Sequence, residues 1–396
     1  MSGLVLRAGR VLTPGGILEP GEIRVDPETG VVTSLGPPGR DRGARDLGGR
    51  LVAPGFVDVH VHGGGGADVN GDDPTALADS LDRLSSFHAA HGTTTMLATT
   101  VSDSPGRLAA SLTAIAAATR RPLPGARIAG AHLEGPFLAR ARRGAQDPAA
   151  VRNPDPGELD RLLELASGSL AMVTLAPELP GAGQLIGRLR AEGVVVALGH
   201  SDADFETAEA AFEAGARHVT HLFNAMAPLH HRRPGLVGAA LSREDVTLEL
   251  VADLHHVHPA VLALVARIAP GRIVAVTDCT PAAGLPPGRH RLGRLEVVLE
   301  RDRVELAGEP GTLAGSVLTM DRAVANLVSH AGLALEAALG AATAVPGRLL
   351  ARAGRTAVGE LAVGGPADLV VLGPDLGVAA TMVAGRPVHD PAGLLL

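Results

Sequence analysis

The 396-residue chain has no lysine, no tryptophan and no tyrosine, one cysteine, and only six phenylalanines. All 35 of its basic residues are therefore arginine. The missing lysine excludes a Schiff-base amine, a phosphate-loop lysine and a carboxylated-lysine bridge between two metals. With so few aromatic rings there is no stacking platform for single-stranded nucleic acid or for sugars. A lone Cys279 excludes an internal disulfide framework and a cysteine-rich zinc site. Net charge is −7, which leaves no basic stripe for a nucleic-acid backbone and no polybasic patch for anionic lipid. No run of 18 apolar residues and no leader-like h-region is present, so a soluble cytoplasmic protein with a small-molecule partner is expected, with no nucleic acid and no membrane. Hydrophobic residues at 46% against 19% charged exclude disorder.

What is present is a regular alternation. Eight short β-rich runs are separated by helical segments: Leu51–His62, Thr93–Thr99, Arg127–Glu134, Met172–Pro177, Val194–His200, His218–Met226, Thr247–Asp253 and Ile273–Asp278. This predicts an α/β fold of the (β/α)8 type, a TIM-like barrel over residues 52–350. Asp202 or Asp204 is positioned to cap a helix over Phe205–Ala214, and Pro259 opens another. Residues 1–51 and 351–396 instead show short strands broken by Gly and Pro, and are expected to pair into one small β-sandwich built from both chain ends. A hairpin-like stretch, Arg291–Leu306, falls between the eighth strand and the final helices.

The chemistry collects at the carboxyl ends of these strands, where barrel enzymes place their sites. In the first strand, alternation puts Asp58, His60 and His62 on one side and Val57, Val59 and Val61 on the other. Two imidazoles side by side make a plausible metal arm. Glu134 ends the third strand, His200 the fifth, His221 the sixth and Asp278 the eighth. Ionisable groups avoid apolar strands unless paired, because burying an unpaired charge is costly; a metal site accounts for the set. Asp278 suits a general base or a further ligand. Asp58 reads as a structural partner, His132 and His218 as packing or supporting groups, and Cys279 as a packed side chain. The loop carrying His230, His231, Arg232 and Arg233 is either a solvated basic loop or a clamp for a phosphate or carboxylate. Of His255, His256 and His258 one is placed to polarise a carbonyl. The four glycines at 63–66 lack the GK[ST] ending of a phosphate loop.

HxH on strand one, single histidines on strands five and six, and Asp on strand eight together resemble the amidohydrolase superfamily. More specifically HLEGPF, ALGHSDAD, THLFNAMAPLHHRRPGLVGA, VTDCTPAAG and TLAGSVLTMDRAV resemble the N-acetylglucosamine-6-phosphate deacetylase family over essentially the whole chain. The resemblance implies removal of an acetyl group from a phosphorylated amino sugar by metal-activated water. It implies a divalent ion, zinc being the one expected, at Glu134, His200 and His221, with His60 and His62 permitting a second. It implies Asp278 as general base and acid, and His256 as the group that polarises the acetyl carbonyl. Substrate contacts are implied for Ala145, Gln146, Asn224, Ala225, His256 and the loop Leu313, Ala314, Gly315, with Arg232 as the phosphate-binding arginine. Gln146 replaces a histidine of some relatives and cannot be cationic. A homodimer is implied, Arg232 reaching the neighbouring subunit's site. The galactosamine epimer, another amidohydrolase substrate such as a cyclic amide, and a non-catalytic binding barrel are the alternatives.

Overall fold

A computed structural model describes residues 3–396. Eight parallel strands form the central sheet, paired in chain order: Phe56–Val61, Thr93–Thr100, Arg127–Glu134, Leu170–Leu175, Val195–Leu198, His218–Val219, Thr247–Val251 and Ile273–Val276. They are numbered here as barrel strands 1 to 8. The ring closes between strands 8 and 1 just beyond their ends. Asp278 N–H donates to the His60 carbonyl at 3.0 Å and His62 N–H to the Cys279 carbonyl at 2.9 Å. The Thr277 hydroxyl donates to Asp58 at 2.6 Å, so Asp58 is a closure residue, buried enough that its carboxyl is pushed up to about 7.

Helices wrap the ring, and their starts follow from local sequence. Pro occupies the first turn of Pro74–Ala90, Pro105–Ala118, Pro156–Ala166 and Pro259–Ile268, where its missing N–H costs nothing. Asp73, Asp155 and Asp204 accept from Thr75, Glu158 and Thr207 N–H, so Asp204, not Asp202, caps Phe205–Ala214. No helix among the described residues is long and apolar enough to cross a membrane.

Two strand expectations need correction. The run Leu51–His62 is two strands: Leu51–Pro54 pairs with Arg10–Thr13 and Leu369–Leu372 in a six-stranded sheet, and only Phe56–Val61 enters the barrel. Gly55 makes the crossing, its N–H bonded to the Asp368 carbonyl at 3.0 Å; a Cβ there would lie 2.1 Å from the Thr94 side chain. The run His218–Met226 holds just two strand residues. Beyond Thr220 the backbone is left-handed at His221, Phe223 and Ala225, which no strand accommodates.

The six-stranded sheet interleaves the chain ends, and a four-stranded sheet of Leu4–Ala8, Gly21–Asp26, Val31–Gly36 and Arg45–Asp46 lies with it. Leu6, Ile23, Val25, Leu361, Leu369 and Met382 form their shared core. The stretch expected as a hairpin is a three-stranded meander, Gly288–Leu292, Leu295–Glu300 and Arg303–Leu306. One ion pair ties the terminal sheets to the barrel: Arg127 at the start of strand 3 donates to both oxygens of buried Asp368 at 2.9 and 3.3 Å, and Ala384 N–H donates to the same carboxylate at 2.7 Å. Replacing Asp368 by Ala strands both donors. The expected loss is about 2–3 kcal/mol, read as a lowered urea midpoint with unchanged metal content; a midpoint equal to the parent's contradicts this role.

Candidate active site

The carboxyl ends of the barrel strands surround an open pocket of about 270 Å³. At its base lie two buried clusters whose ligand atoms sit within 4.8 Å of one another: His60, His62 and Glu134, and Glu134, His200 and His221. Glu134 belongs to both. Its Oε1 lies 3.2 Å from His200 Nε2 and 3.0 Å from His221 Nε2, and its Oε2 lies 3.4 Å from His62 Nε2.

The imidazoles are held with a fixed face inward. His62 Nδ1–H donates to the Thr99 carbonyl at 3.1 Å and His200 Nδ1–H to the Arg142 carbonyl at 2.9 Å. His60 Nδ1–H donates to Glu249 at 3.1 Å. An Nδ1 proton so engaged leaves the lone pair on Nε2. Yet His60 Nε2 and His62 Nε2 stand 3.1 Å apart, as do His200 Nε2 and His221 Nε2. The facing lone pairs of His60 and His62 call for positive charge between them, whereas His221 Nδ1 has no hydrogen-bond partner among the described residues and its ring is oriented by Glu134. Ligands bound roughly 2.0–2.1 Å from a tetrahedral ion stand about 3.3 Å apart, so the donors fit divalent metal in type and in spacing.

The charge balance agrees. Burial pulls the His60 and His62 pKa values down, but Asp278 and Glu134 outweigh it and push them up to about 9 and about 10. The same attraction, working against burial, holds the Glu134 carboxyl well below its usual range and that of Asp278 below it. Without metal, protons fill the place of the cation.

At the pocket's lip, Asp278 Oδ1 faces His62 Nε2 at 3.3 Å and Oδ2 faces His256 Nε2 at 3.9 Å. His256 is fixed by Asp253, whose Oδ2 takes its Nδ1–H at 2.7 Å. The neighbouring histidines point elsewhere: His255 pairs with Asp302 at 3.1 Å, and His258 caps the helix Pro259–Ile268. His132 is locked between Thr99 and Thr174; burial and nearby His60 lower its pKa to about 3. Cys279 is buried, and burial raises its thiol pKa, which removes any thiolate role.

Of the positions named for substrate contact, Ala145, Gln146, Asn224, Ala225, His256, Leu313 and Gly315 line the pocket, and Gly144 lines it with them. Gln146 is pinned at both ends: Ser102 N–H donates to its carbonyl at 2.6 Å, which forces its amide N–H onto Glu134 Oε2 at 2.7 Å. Gly315, at φ 62°, lets its loop approach; a Cβ there would lie 2.7 Å from the Asp278 carbonyl. Two of the expected contact positions do not line this pocket. Ala314 turns away, its methyl group packed with Val101, Ala282 and Leu292. Arg232 is exposed, rests its Nη1 on His231 Nε2 at 2.9 Å, and lines a separate cavity with Arg142, Asp202 and Phe205. It lies on the loop after strand 6, and no arginine lines this chain's pocket among the described residues.

Two groups escaped the sequence reading, Glu249 and Asp253. Each supports a histidine, Glu249 from the middle of strand 7 and Asp253 from just past its end. The signal for Glu249 was its being the one charge in the strand Thr247–Val251.

The amidohydrolase family model matches residues 51–388. The N-acetylgalactosamine-6-phosphate deacetylase of Escherichia coli O157:H7 is 40% identical over 382 residues, 96% of this chain and 98% of that one. The N-acetylglucosamine-6-phosphate deacetylase of Vibrio furnissii is 37% identical over 353 residues, 89% and 86% of the two chains. Among solved structures, a variant of the Mycobacterium smegmatis N-acetyl-D-glucosamine-6-phosphate deacetylase in complex with N-acetyl-D-glucosamine-6-phosphate superposes with a TM-score of 0.92 at 39% identity, over 98% of this chain and 100% of that one. With its barrel, its twin His/Glu clusters and these relatives, the chain belongs to the amidohydrolase family and, within it, to the N-acetylhexosamine-6-phosphate deacetylases.

Proposed function

We propose that this chain hydrolyses N-acetylglucosamine 6-phosphate to glucosamine 6-phosphate and acetate. The observation that carries the reading is the pocket base, where two metal-competent clusters share Glu134 directly beneath Asp278 and His256. Glu134, His200 and His221 would hold one divalent ion and His60 and His62 a second, and an ion so held would lower the pKa of a bound water toward ~7 and act as a Lewis acid on a carbonyl oxygen.

The chain's own groups do the rest. Asp278 is ionised at neutral pH, so it can take a proton from the attacking water on Oδ2 and return it to the departing amine nitrogen. Water then adds across the C–N bond, giving one acetate and one free amine. His256, its ring fixed by Asp253 through Nδ1–H, presents Nε2 to the pocket, and as the imidazolium, with a proton on each ring nitrogen, it would donate Nε2–H to the acetyl oxygen that gains charge. Gln146, Asn224 and the loop at Leu313–Gly315 enclose the sugar. Arg232, which lies outside its own chain's pocket, serves as phosphate anchor in the pocket of a second subunit, as a homodimer would allow. Positioning the remote phosphate orients the acetamide at the metals.

Galactosamine is the second reading, favoured by the 40% identity to the Escherichia coli relative over nearly its whole length. Acetate release from the two phosphorylated epimers, compared as kcat/KM, decides between them.

Asp278→Asn keeps the shape and loses the base, so kcat is expected to fall by about 10²–10⁴-fold; near-parental turnover removes Asp278 from the mechanism. Arg232→Ala loses a charge-assisted contact worth roughly 1.5–3 kcal/mol, so kcat/KM for the phosphorylated sugar should fall about 10–100-fold while the unphosphorylated sugar is unaffected. An equal drop for both sugars contradicts a phosphate contact. Metal uptake at His60 and His62 must displace the protons that their raised pKa values retain at neutral pH. Affinity should therefore climb between pH 6.5 and 8.5, by about tenfold per pH unit for each proton displaced, in chelator competition titrations; a flat profile refutes this charge balance.

A further inference from the structure

We propose that Glu249 is the positioning residue that makes the His60/His62/Glu134 cluster able to hold an ion, a role that rests on reading both clusters as metal sites. Glu249 is fully buried in the middle of barrel strand 7. Strands 1 and 7 are not neighbours, so its contact with His60 crosses the barrel interior. Every acceptor position that it uses meets a donor. Oε2 takes His60 Nδ1–H at 3.1 Å and His221 N–H at 3.0 Å, while Oε1 takes His218 Nε2–H at 2.8 Å. Such an arrangement suits an ionised carboxylate only, and the surrounding imidazoles hold it ionised despite burial.

The consequence falls on His60. Its other supports are backbone: His60 N–H bonds Asp58 at 3.2 Å and its carbonyl takes Asp278 N–H. Among the described residues Glu249 is the one hydrogen-bond partner of His60 Nδ1, and so it places the proton there and the lone pair on Nε2, toward His62, Glu134 and Asp278. His62 and His200 find the same service in backbone carbonyls of Thr99 and Arg142, which no substitution of a side chain removes. His221 depends on Glu249 less, because its carbonyl also takes Asn224 N–H at 2.9 Å and its own ring is placed by Glu134. A partner of this kind changes metal affinity by roughly 10–100-fold.

The test is zinc content by mass spectrometry after desalting, and zinc affinity by chelator competition, on the full chain. Parent protein should bind two ions and His62→Ala one. Glu249→Ala should bind one ion tightly, with the other lost or weakened about 10–100-fold, and the retained ion within a few-fold of its parental affinity. Glu249→Asp should recover part of the loss. Glu249→Gln, which keeps volume and one acceptor oxygen, covers the case in which the Ala variant fails to fold, and should weaken the same single ion. A folded Glu249→Ala or Glu249→Gln with two ions at parental affinities overturns this proposal alone. So does a uniform loss of both ions in step with thermal stability, which is what a merely structural role produces. Parent protein that takes up one ion overturns the two-ion reading and this proposal with it.

Discussion

The structure depends on one electrostatic constraint, which is that the imidazoles of His60, His62, His200 and His221 and the carboxylates of Glu134, Asp278 and Glu249 are buried together in the barrel interior. Isolated charges there would cost many kcal/mol. They persist because each carboxylate is met by several donors and each of the Nε2 atoms of His60, His62, His200 and His221 is aimed at a place for a cation. The raised pKa values of His60 and His62 and the depressed one of Glu134 are two views of that one fact. A cation satisfies both at once, which is why the site reads as a metal centre more strongly than any of its residues does alone.

Holding that geometry has a backbone cost. His200, His221 and Asp278 all adopt left-handed conformations, a strain of order 1–3 kcal/mol at such a position. Each lies just past the end of its strand, where a side chain continuing the pleat would point along the wall rather than over the mouth. Their carbonyls are pinned in that turn: Ala139 N–H donates to His200 at 3.0 Å, Asn224 N–H to His221 at 2.9 Å, and Ser316 N–H to Asp278 at 2.8 Å. Below them a polar belt of Thr99, His132, Thr174 and Thr220, linked in series, fills the barrel where hydrophobic side chains would have no hydrogen bonds to give.

The alternation of apolar runs and helical segments made the barrel legible, and the HxH pair and the ionisable strand ends made most of the pocket base legible. Three features escaped for physical reasons. Leu51–His62 reads as one strand because a glycine at a crossing point resembles a glycine within a strand, and only its pairing with Leu369–Leu372, more than 300 residues away, separates the two. The His218–Met226 run is β-rich in composition but is bent by tertiary contacts, among them Leu222 N–H on the Glu249 carbonyl and Ser201 N–H on the Ala225 carbonyl. Glu249 itself looks like a stray charge until strand 1 is laid across from strand 7. Each of these depends on contacts between residues distant in sequence, and local propensity cannot report those.

The absence of lysine acquires a meaning in this light. Positive charge at the pocket base comes from imidazoles and the ions they can hold, all of it directed at the acetamide end of the proposed substrate. Nothing comparable faces the other end, because no arginine lines the pocket among the described residues. Arg143, next in sequence to the pocket-lining Gly144, is bound at 2.7 and 2.9 Å to both oxygens of Glu309 and is thereby spent. A dianionic phosphate in this pocket would be left to water unless a cation arrives from outside the chain. Arg232 and Arg233 line a separate cavity and among the described residues neither bonds a carboxylate, so their guanidinium charge is there to offer to a neighbour. The same separation that makes Arg232 look misplaced in a single chain is what a shared site between two subunits demands.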